Sequence, residues 1–197
     1  MRIWLNDRTV SLVKHPPSDT GYHRVGSKKE IEELYTDFEA NPSRKELVLF
    51  GEDYAQCRAD LLSLFKIVIA AGGFVKNERN EILFIFRRGH WDLPKGKLNS
   101  KKGKAEKKKD AAVREVMEET GIEMIDVVGK KDRTYHIFFE KRQRYLKKTY
   151  WYEMRAPSAQ VLKPQVEEDI TKVVWIPQDA LGPVLMKAYP SLLKLFR

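Results

Sequence analysis

Trp91-Asp92-Leu93-Pro94-Lys95-Gly96-Lys97-Leu98 and, beyond a lysine-rich stretch, Arg114-Glu115-Val116-Met117-Glu118-Glu119-Thr120-Gly121-Ile122 are the segments on which the reading of the fold turns. The second segment has a helical rhythm. On a period of about 3.6 residues, Ala112, Val113, Val116 and Met117 share one side, while Glu115, Glu118 and Glu119 lie on roughly the opposite side. The spacing predicts a helix from about Lys104 to Thr120, stopped at Gly121, with one face packing and the other binding. Carboxylates this close repel one another by a few tenths of a kcal/mol per pair even in a solvated helix, so they call for a counter-charge. A hard divalent cation supplies one, and magnesium takes near-octahedral oxygen ligands while keeping some waters. Taken alone, an acidic helix with Arg114 four residues before Glu118 reads as a solvated face; the residues around it change that reading.

Outward from the helix, Lys66 to Gly89 reads as two apolar strands joined at a polar turn, Lys76 to Asn80. A loop from Gly89 to Gly103 follows. Beyond the helix, strands are expected near Ile125 to Val128, Tyr135 to Glu140, Thr149 to Arg155 and Lys172 to Ile176. A closing helix between Pro177 and Leu195 should be interrupted by Pro183 or Pro190. Upstream, short strands are expected at Arg2 to Leu5, Thr9 to Val13 and Glu46 to Phe50. A helix should start at Ser27, where Ser27 and Glu30 make a capping box, and end at Asn41-Pro42-Ser43; a second spans Asp53 to Phe65. Residues 1–65 thus form a small accessory α/β unit and residues 66–197 a separate domain of strands with helices on both sides.

The 197 residues are 42% apolar, enough for one substantial core or for a domain with a smaller one attached. No apolar run approaches the ~20 residues that span a bilayer, and Asn6, Asp7 and Arg8 interrupt any signal-peptide core, so a cytoplasmic protein is expected. Cys57 is alone, which excludes an internal disulfide and a four-cysteine zinc site, and its setting suits packing rather than nucleophilic attack. The formal charge of +9 draws anionic partners without saying which. Much of it lies in Lys95, Lys97, Lys101, Lys102, Lys104, Lys107, Lys108 and Lys109, opposed only by Glu106. Cations in the first turn of a helix oppose its dipole, so an anionic partner there is worth testing, although a solvated loop is the favoured reading.

The two quoted segments resemble the box of the Nudix hydrolase family. There a Gly, five residues, Glu, seven residues and Arg-Glu-aliphatic-x-Glu-Glu-x-Gly-aliphatic follow in order; here seven residues separate Glu106 from Arg114, and Val116 and Ile122 fill the aliphatic places. One departure stands out: nine residues, not five, separate Gly96 from Glu106, a four-residue insertion placed within Asn99 to Ala105. The resemblance implies an α/β (α+β) fold, a Nudix-type α/β/α sandwich with a mixed sheet, preceded here by the accessory unit. It also implies water attack on phosphorus in a nucleoside diphosphate linked to another group, with Mg²⁺ or Mn²⁺ bridging carboxylates and phosphate oxygens. Carried over by position, Glu118, Glu119 and the Lys95 carbonyl would be metal ligands, Glu115 a ligand or the base, and Arg114 the residue that holds Glu115. Glu106 would be an outer-shell ligand or a helix support. Many members use a carboxylate from a later loop, which makes Glu167 or Glu168 a further ligand or the base. Arg87, Arg88 and Lys97 flank the loop and are candidates for phosphate binding.

The wording of the loop is similar to the branch acting on diadenosine or inositol polyphosphates and oxidised nucleotides, with ADP-ribose as a rival substrate. The expected partner is a small-molecule phosphoanhydride. Two other classes compete. A catalytically silent nucleotide sensor would not need the full set of Arg114, Glu115, Glu118 and Glu119. An RNA-directed enzyme fits the basic balance, but no RNA-binding motif accompanies the charge. Residues 1–65 leave open whether that unit shapes the pocket, pairs two copies as a homodimer or binds another partner.

Overall fold

The computed structural model describes residues 1–101 and 104–196. Lys102 and Gly103, part of the lysine run and of the predicted insertion, lie outside the described residues. Two compact units emerge: Met1–Val68 with Tyr135–Lys147, and Ile69–Thr134 with Lys148–Arg197.

In the first unit β1 (Arg2–Leu5) and β2 (Arg8–Val13) form an antiparallel hairpin that turns at Asn6, whose φ is 55°. Short β3 (His23–Arg24) leads to α1 (Lys28–Ala40), followed by β4 (Glu46–Phe50) and α2 (Tyr54–Ser63). β4 lies parallel to both β2 and β3, so α1 is the crossover of a βαβ unit. The capping box closes as the spacing predicted: the Glu30 amide donates to the Ser27 hydroxyl, and the Glu30 carboxylate accepts from the Ser27 amide. Ile31, Tyr35 and Phe38 on α1 are fully buried against Leu12, Leu47 and Leu49.

The second unit begins with β5 (Lys66–Lys76) and β6 (Glu81–Arg87), joined at a turn where the Asn77 side-chain oxygen accepts from the Arg79 and Glu81 amides. Then come β7 (His90–Asp92), β8 (Lys95–Lys97), β9 (Ser100–Lys101), β10 (Lys104–Ala105) and α3 (Lys108–Thr120). The chain finishes with β11 (Asp126–Glu140), β12 (Gln143–Arg155), β13 (Ile170–Pro177) and α4 (Leu181–Met186). Residues 135–147, the outer end of the β11–β12 pair, belong to the first unit, where β1 runs parallel to β11 at Trp4 and His136. Within the second unit the strand order is β13-β6-β5-β12-β11. Alternate residues of β6 feed opposite faces: Leu83 and Ile85 pack with Ala111, Ala112 and Val116 of α3, whereas Ile82 and Phe84 pack with Val184, Leu192 and Leu195. Helices therefore cover both faces, which is the expected α/β/α layering.

Three local readings need correction. The stretch from Gly89 to Gly103 carries β7, β8 and β9 rather than a plain loop, because Ala70, Ala71 and Gly72 of β5 and Ile85, Phe86 and Arg87 of β6 offer it pairing edges. The carboxylate-bearing helix starts at Lys108, not Lys104, since Lys104 and Ala105 pair with Lys101 and Ser100. The strands expected at 125–128 and 135–140 are one strand, Asp126–Glu140.

Candidate active site

The loop and the helix are locked together at Gly96. A Cβ on this residue would fall inside 3.0 Å of all three atoms of the Glu115 carboxyl group, so only a glycine lets β8 pass this close to α3. Gly121 serves the other end of the helix. Its φ of 76° makes the left-handed cap, and its amide donates to the Met117 carbonyl.

Arg114 is the hub of the site. Its Nε donates to Glu106 Oε1 at 3.0 Å, and one terminal nitrogen donates to Glu106 Oε2 at 2.9 Å and to the Lys97 carbonyl at 3.1 Å. The other terminal nitrogen donates to Glu115 at 2.8 Å and to Glu118 at 2.7 Å. One planar cation thus spans three carboxylates and a carbonyl, which an ammonium could not match. The Glu106 bonds hold the guanidinium charge more firmly than usual. Glu106 also closes the base of the inserted segment. Its amide donates to the Asn99 carbonyl at 2.9 Å, and its carboxylate accepts from the Asn99 amide at 3.0 Å. The β9 and β10 strands thereby leave from a closed base, and Glu106 remains beside Arg114.

Glu119 does not lie on the outer face predicted from the helical wheel. It is 1% exposed, on the side of Ala112 and Val116, whereas Val113 and Met117 are only half-buried. Ionic partners explain this position. Its carboxylate accepts from the Lys95 amide at 2.7 Å and lies 3.5 Å from Arg87 Nη1. Burial pushes its carboxyl up to about 7, against the opposing pull of Lys95. Burial also raises Glu115, with Arg114 offsetting part of the rise and Glu118 and Glu168 adding to it. The charge of Glu168 thus reaches Glu115 from a different element.

Glu168 closes a one-turn 3₁₀ helix, Val166–Glu168, and lies 2.6 Å from Arg87 Nη2, so Arg87 bridges Glu119 and Glu168. Arg88, at φ 51°, pairs with Asp169, at φ 60°, at 2.9 Å. Glu167 and Lys97 are exposed, and Lys97 joins the site through its carbonyl. The structure thus brings together Arg87, Lys95, Glu106, Arg114, Glu115, Glu118, Glu119 and Glu168. The side chains of Arg88, Lys97 and Glu167 lie outside this web of contacts. Asp92 was missed from sequence. It is 3% exposed, accepts from the Leu93 amide at 2.8 Å and pairs with Lys95 Nζ at 2.7 Å. Burial works against the Lys95 charge, but Asp92 and Glu119 together hold the ammonium above its ordinary range. The three-residue spacing from Asp92 to Lys95 was the available signal.

A family model of the NUDIX domain matches residues 66–197, about two thirds of the chain. The chain belongs to the Nudix family. Among solved structures of similar fold are a MutT protein from Methanosarcina mazei Go1 and the C. elegans Ap4A hydrolase. The first is 22% identical at a TM-score of 0.49, over 67% of this chain and 91% of that one. The second is 21% identical at a TM-score of 0.47, over 67% of this chain and 95% of that one. A bifunctional NMN adenylyltransferase/ADP ribose pyrophosphatase from Francisella tularensis, described with AMP and a Mn ion, is 16% identical at a TM-score of 0.47, over 85% of this chain and 46% of that one. As a Nudix protein this chain is a pyrophosphohydrolase. No helix among its described residues is long and apolar enough to cross a membrane.

The donor chemistry of the Nudix site fits a hard divalent cation. Glu115, Glu118, Glu119 and Glu168 supply only oxygen, and Glu115 feels two like charges. As they stand, no three Asp, Glu, His or Cys side chains among the described residues are grouped to hold a metal. Arg114 occupies the space between Glu115 and Glu118, and Arg87 that between Glu119 and Glu168.

Proposed function

We propose that the protein is a Mg²⁺- or Mn²⁺-dependent hydrolase that cleaves a diphosphate linkage in a nucleoside diphosphate derivative or a dinucleoside polyphosphate. The observation that carries this reading is the Arg114 hub, which gathers Glu106, Glu115 and Glu118 of one helix and its approach loop on a single guanidinium. A purely structural helix has no use for so many carboxylates on one cation.

Glu115, Glu118 and Glu119, with the Lys95 carbonyl, are the residues that would hold the metal, with Glu168 or Glu167 completing the set from the later turn. A bound divalent ion would polarise the phosphoryl oxygens and make its coordinated water more acidic. Arg114 keeps Glu115 at a fixed distance from β8, and Glu106 keeps Arg114 flat against the Lys97 carbonyl. Arg87 holds Glu168 and Glu119 together and presents positive charge where phosphate oxygens would lie. Glu115 or Glu168 would be the base that takes a proton from the attacking water, and the charge of Glu168 is felt at Glu115. Arg88 and Lys97 add positive charge at the rim.

The test is a screen of nucleoside diphosphate derivatives, dinucleoside polyphosphates, ADP-ribose and inositol pyrophosphates with Mg²⁺ or Mn²⁺, followed by Glu118→Gln on the best substrate. Turnover should disappear while the thermal transition stays in place. Equal turnover by wild type and variant would overturn the assignment.

A further inference from the structure

Away from the carboxylates, three cations of the second unit converge on one ring. Lys108 Nζ lies 4.7 Å from the centroid of Tyr150, Lys148 Nζ 5.0 Å and Arg133 Cζ 5.8 Å. The three come from α3, β12 and β11, so the fold rather than a run of neighbouring residues gathers them. Among the described residues neither Lys108 nor Arg133 takes part in a salt bridge. Each cation gains about 0.5–1 kcal/mol from an exposed aromatic face, but like charges gathered around one ring repel. The phenol registers the crowding. Burial pushes it up, yet a hydrogen bond from Lys148 and the charges of Lys148, Lys108 and Arg133 bring it below its ordinary value.

The start of α3 is a second, independent sign. Lys107 occupies the N-cap and makes no side-chain cap, so the first-turn amides lack the carboxylate or hydroxyl that normally meets them. Lysines 107, 108 and 109 stand at the positive end of the helix dipole, with Asp110 as the acid of that turn. In the first unit, by contrast, Ser27 and Glu30 satisfy the start of α1. Open amides, an adverse dipole and a ring of cations share one remedy, a multiply charged anion with several acceptor oxygens.

We infer that Lys108, Arg133, Lys148 and Tyr150, with the open start of α3, form a binding subsite for a polyphosphate chain. This rests on the proposed hydrolase reading for its biological sense, because α3 carries both this cluster at its first turn and Glu115, Glu118 and Glu119 further along. A substrate with several phosphates can place one group on the cluster and another at the carboxylates. The cluster is compact, three cations about one ring, whereas a nucleic-acid backbone asks for an extended basic stripe. The subsite therefore favours phosphate-rich small molecules over a simple diphosphate.

Isothermal titration of the metal-free full-length protein with inorganic tripolyphosphate tests the subsite without any turnover, so a failure of the hydrolase reading would leave this result readable. The measurement belongs at about 0.15 M salt, where the Debye length is about 8 Å and diffuse attraction is damped. Lys108→Gln/Lys148→Gln should bind about tenfold more weakly than wild type, the loss expected when charge-assisted hydrogen bonds are removed. A charge-matched control, Lys28→Gln/Lys29→Gln on α1, should bind as wild type does. On the best substrates of the screen, the cluster variant should raise KM for a polyphosphate-bridged dinucleotide at least fivefold more than for a simple nucleoside diphosphate derivative, with kcat held. Equal tripolyphosphate affinity in wild type and cluster variant would overturn the proposal, and so would an equal loss in the control. Tighter, cluster-dependent binding of a single-stranded oligonucleotide would overturn it in favour of a nucleic-acid surface.

Discussion

Replacing Gly96 by alanine should separate activity from stability. The new Cβ would lie inside 3.0 Å of every atom of the Glu115 carboxyl group, so that group has to move by about 1.5 Å to restore an ordinary contact. The obstacle is the far end of a flexible side chain, so the fold can yield at small cost, about 1 kcal/mol, the common range for a point substitution. The chemistry cannot yield so easily. Glu115 is tied to Arg114 at 2.8 Å, and a shift of its carboxylate also pulls on the guanidinium that holds Glu106 and Glu118. A misplacement of about 1 Å in a positioned group costs on the order of 10²-fold in rate. Metal-dependent hydrolysis of the best substrate should therefore fall about a hundredfold in Gly96→Ala, while the melting temperature drops by only a few degrees. The two measurements are steady-state kinetics at saturating Mg²⁺ and a thermal melt on the same preparation. A variant with rates within threefold of wild type would show that Glu115 does not need the position it occupies. A collapse of the melting temperature would show that Gly96 serves folding first.

Arg114→Lys should lower kcat at least tenfold, because an ammonium cannot span four acceptors; kinetics within twofold of wild type would contradict the hub. In the metal-free protein the folded state holds a proton on Glu119 up to about pH 7, against an ordinary 4.5. The stability linked to that proton is full below 4.5 and is lost as pH rises through 7, by about 3 kcal/mol at most. Melts across this range should show wild type losing stability relative to Glu119→Gln, and parallel curves would refute it. Ser27→Ala removes one leg of the capping box and should destabilise the first unit by about 1 kcal/mol with hydrolysis unchanged. Denaturant unfolding of wild type and variant reads this out.

Much of this was legible in the sequence because local rules and the global fold agree. The Ser27 to Glu30 spacing fixes the start of α1, and Arg114 to Gly121 announces α3 and its stop. Where the reading failed, tertiary partners decided the outcome. A helical wheel put Glu119 with the other carboxylates on the outer face, because it could not see Lys95 and Arg87 arriving from two other strands to meet a buried charge. The first residues of the expected helix went into β10, because Lys104 and Ala105 found pairing partners in the same excursion. Asp92 looked like part of a loop until the fold set it beneath Lys95. Each miss concerns a residue whose position is set by a contact that only the folded chain supplies.

The paired bonds between Asn99 and Glu106 make a neck, and a neck uncouples what lies beyond it from what lies below. The length of the segment above the neck does not enter the distance from Gly96 to Glu115, so that segment is a free parameter of the architecture. The spacing of Gly96 and Glu115 is thus set below the neck, where β8 meets α3.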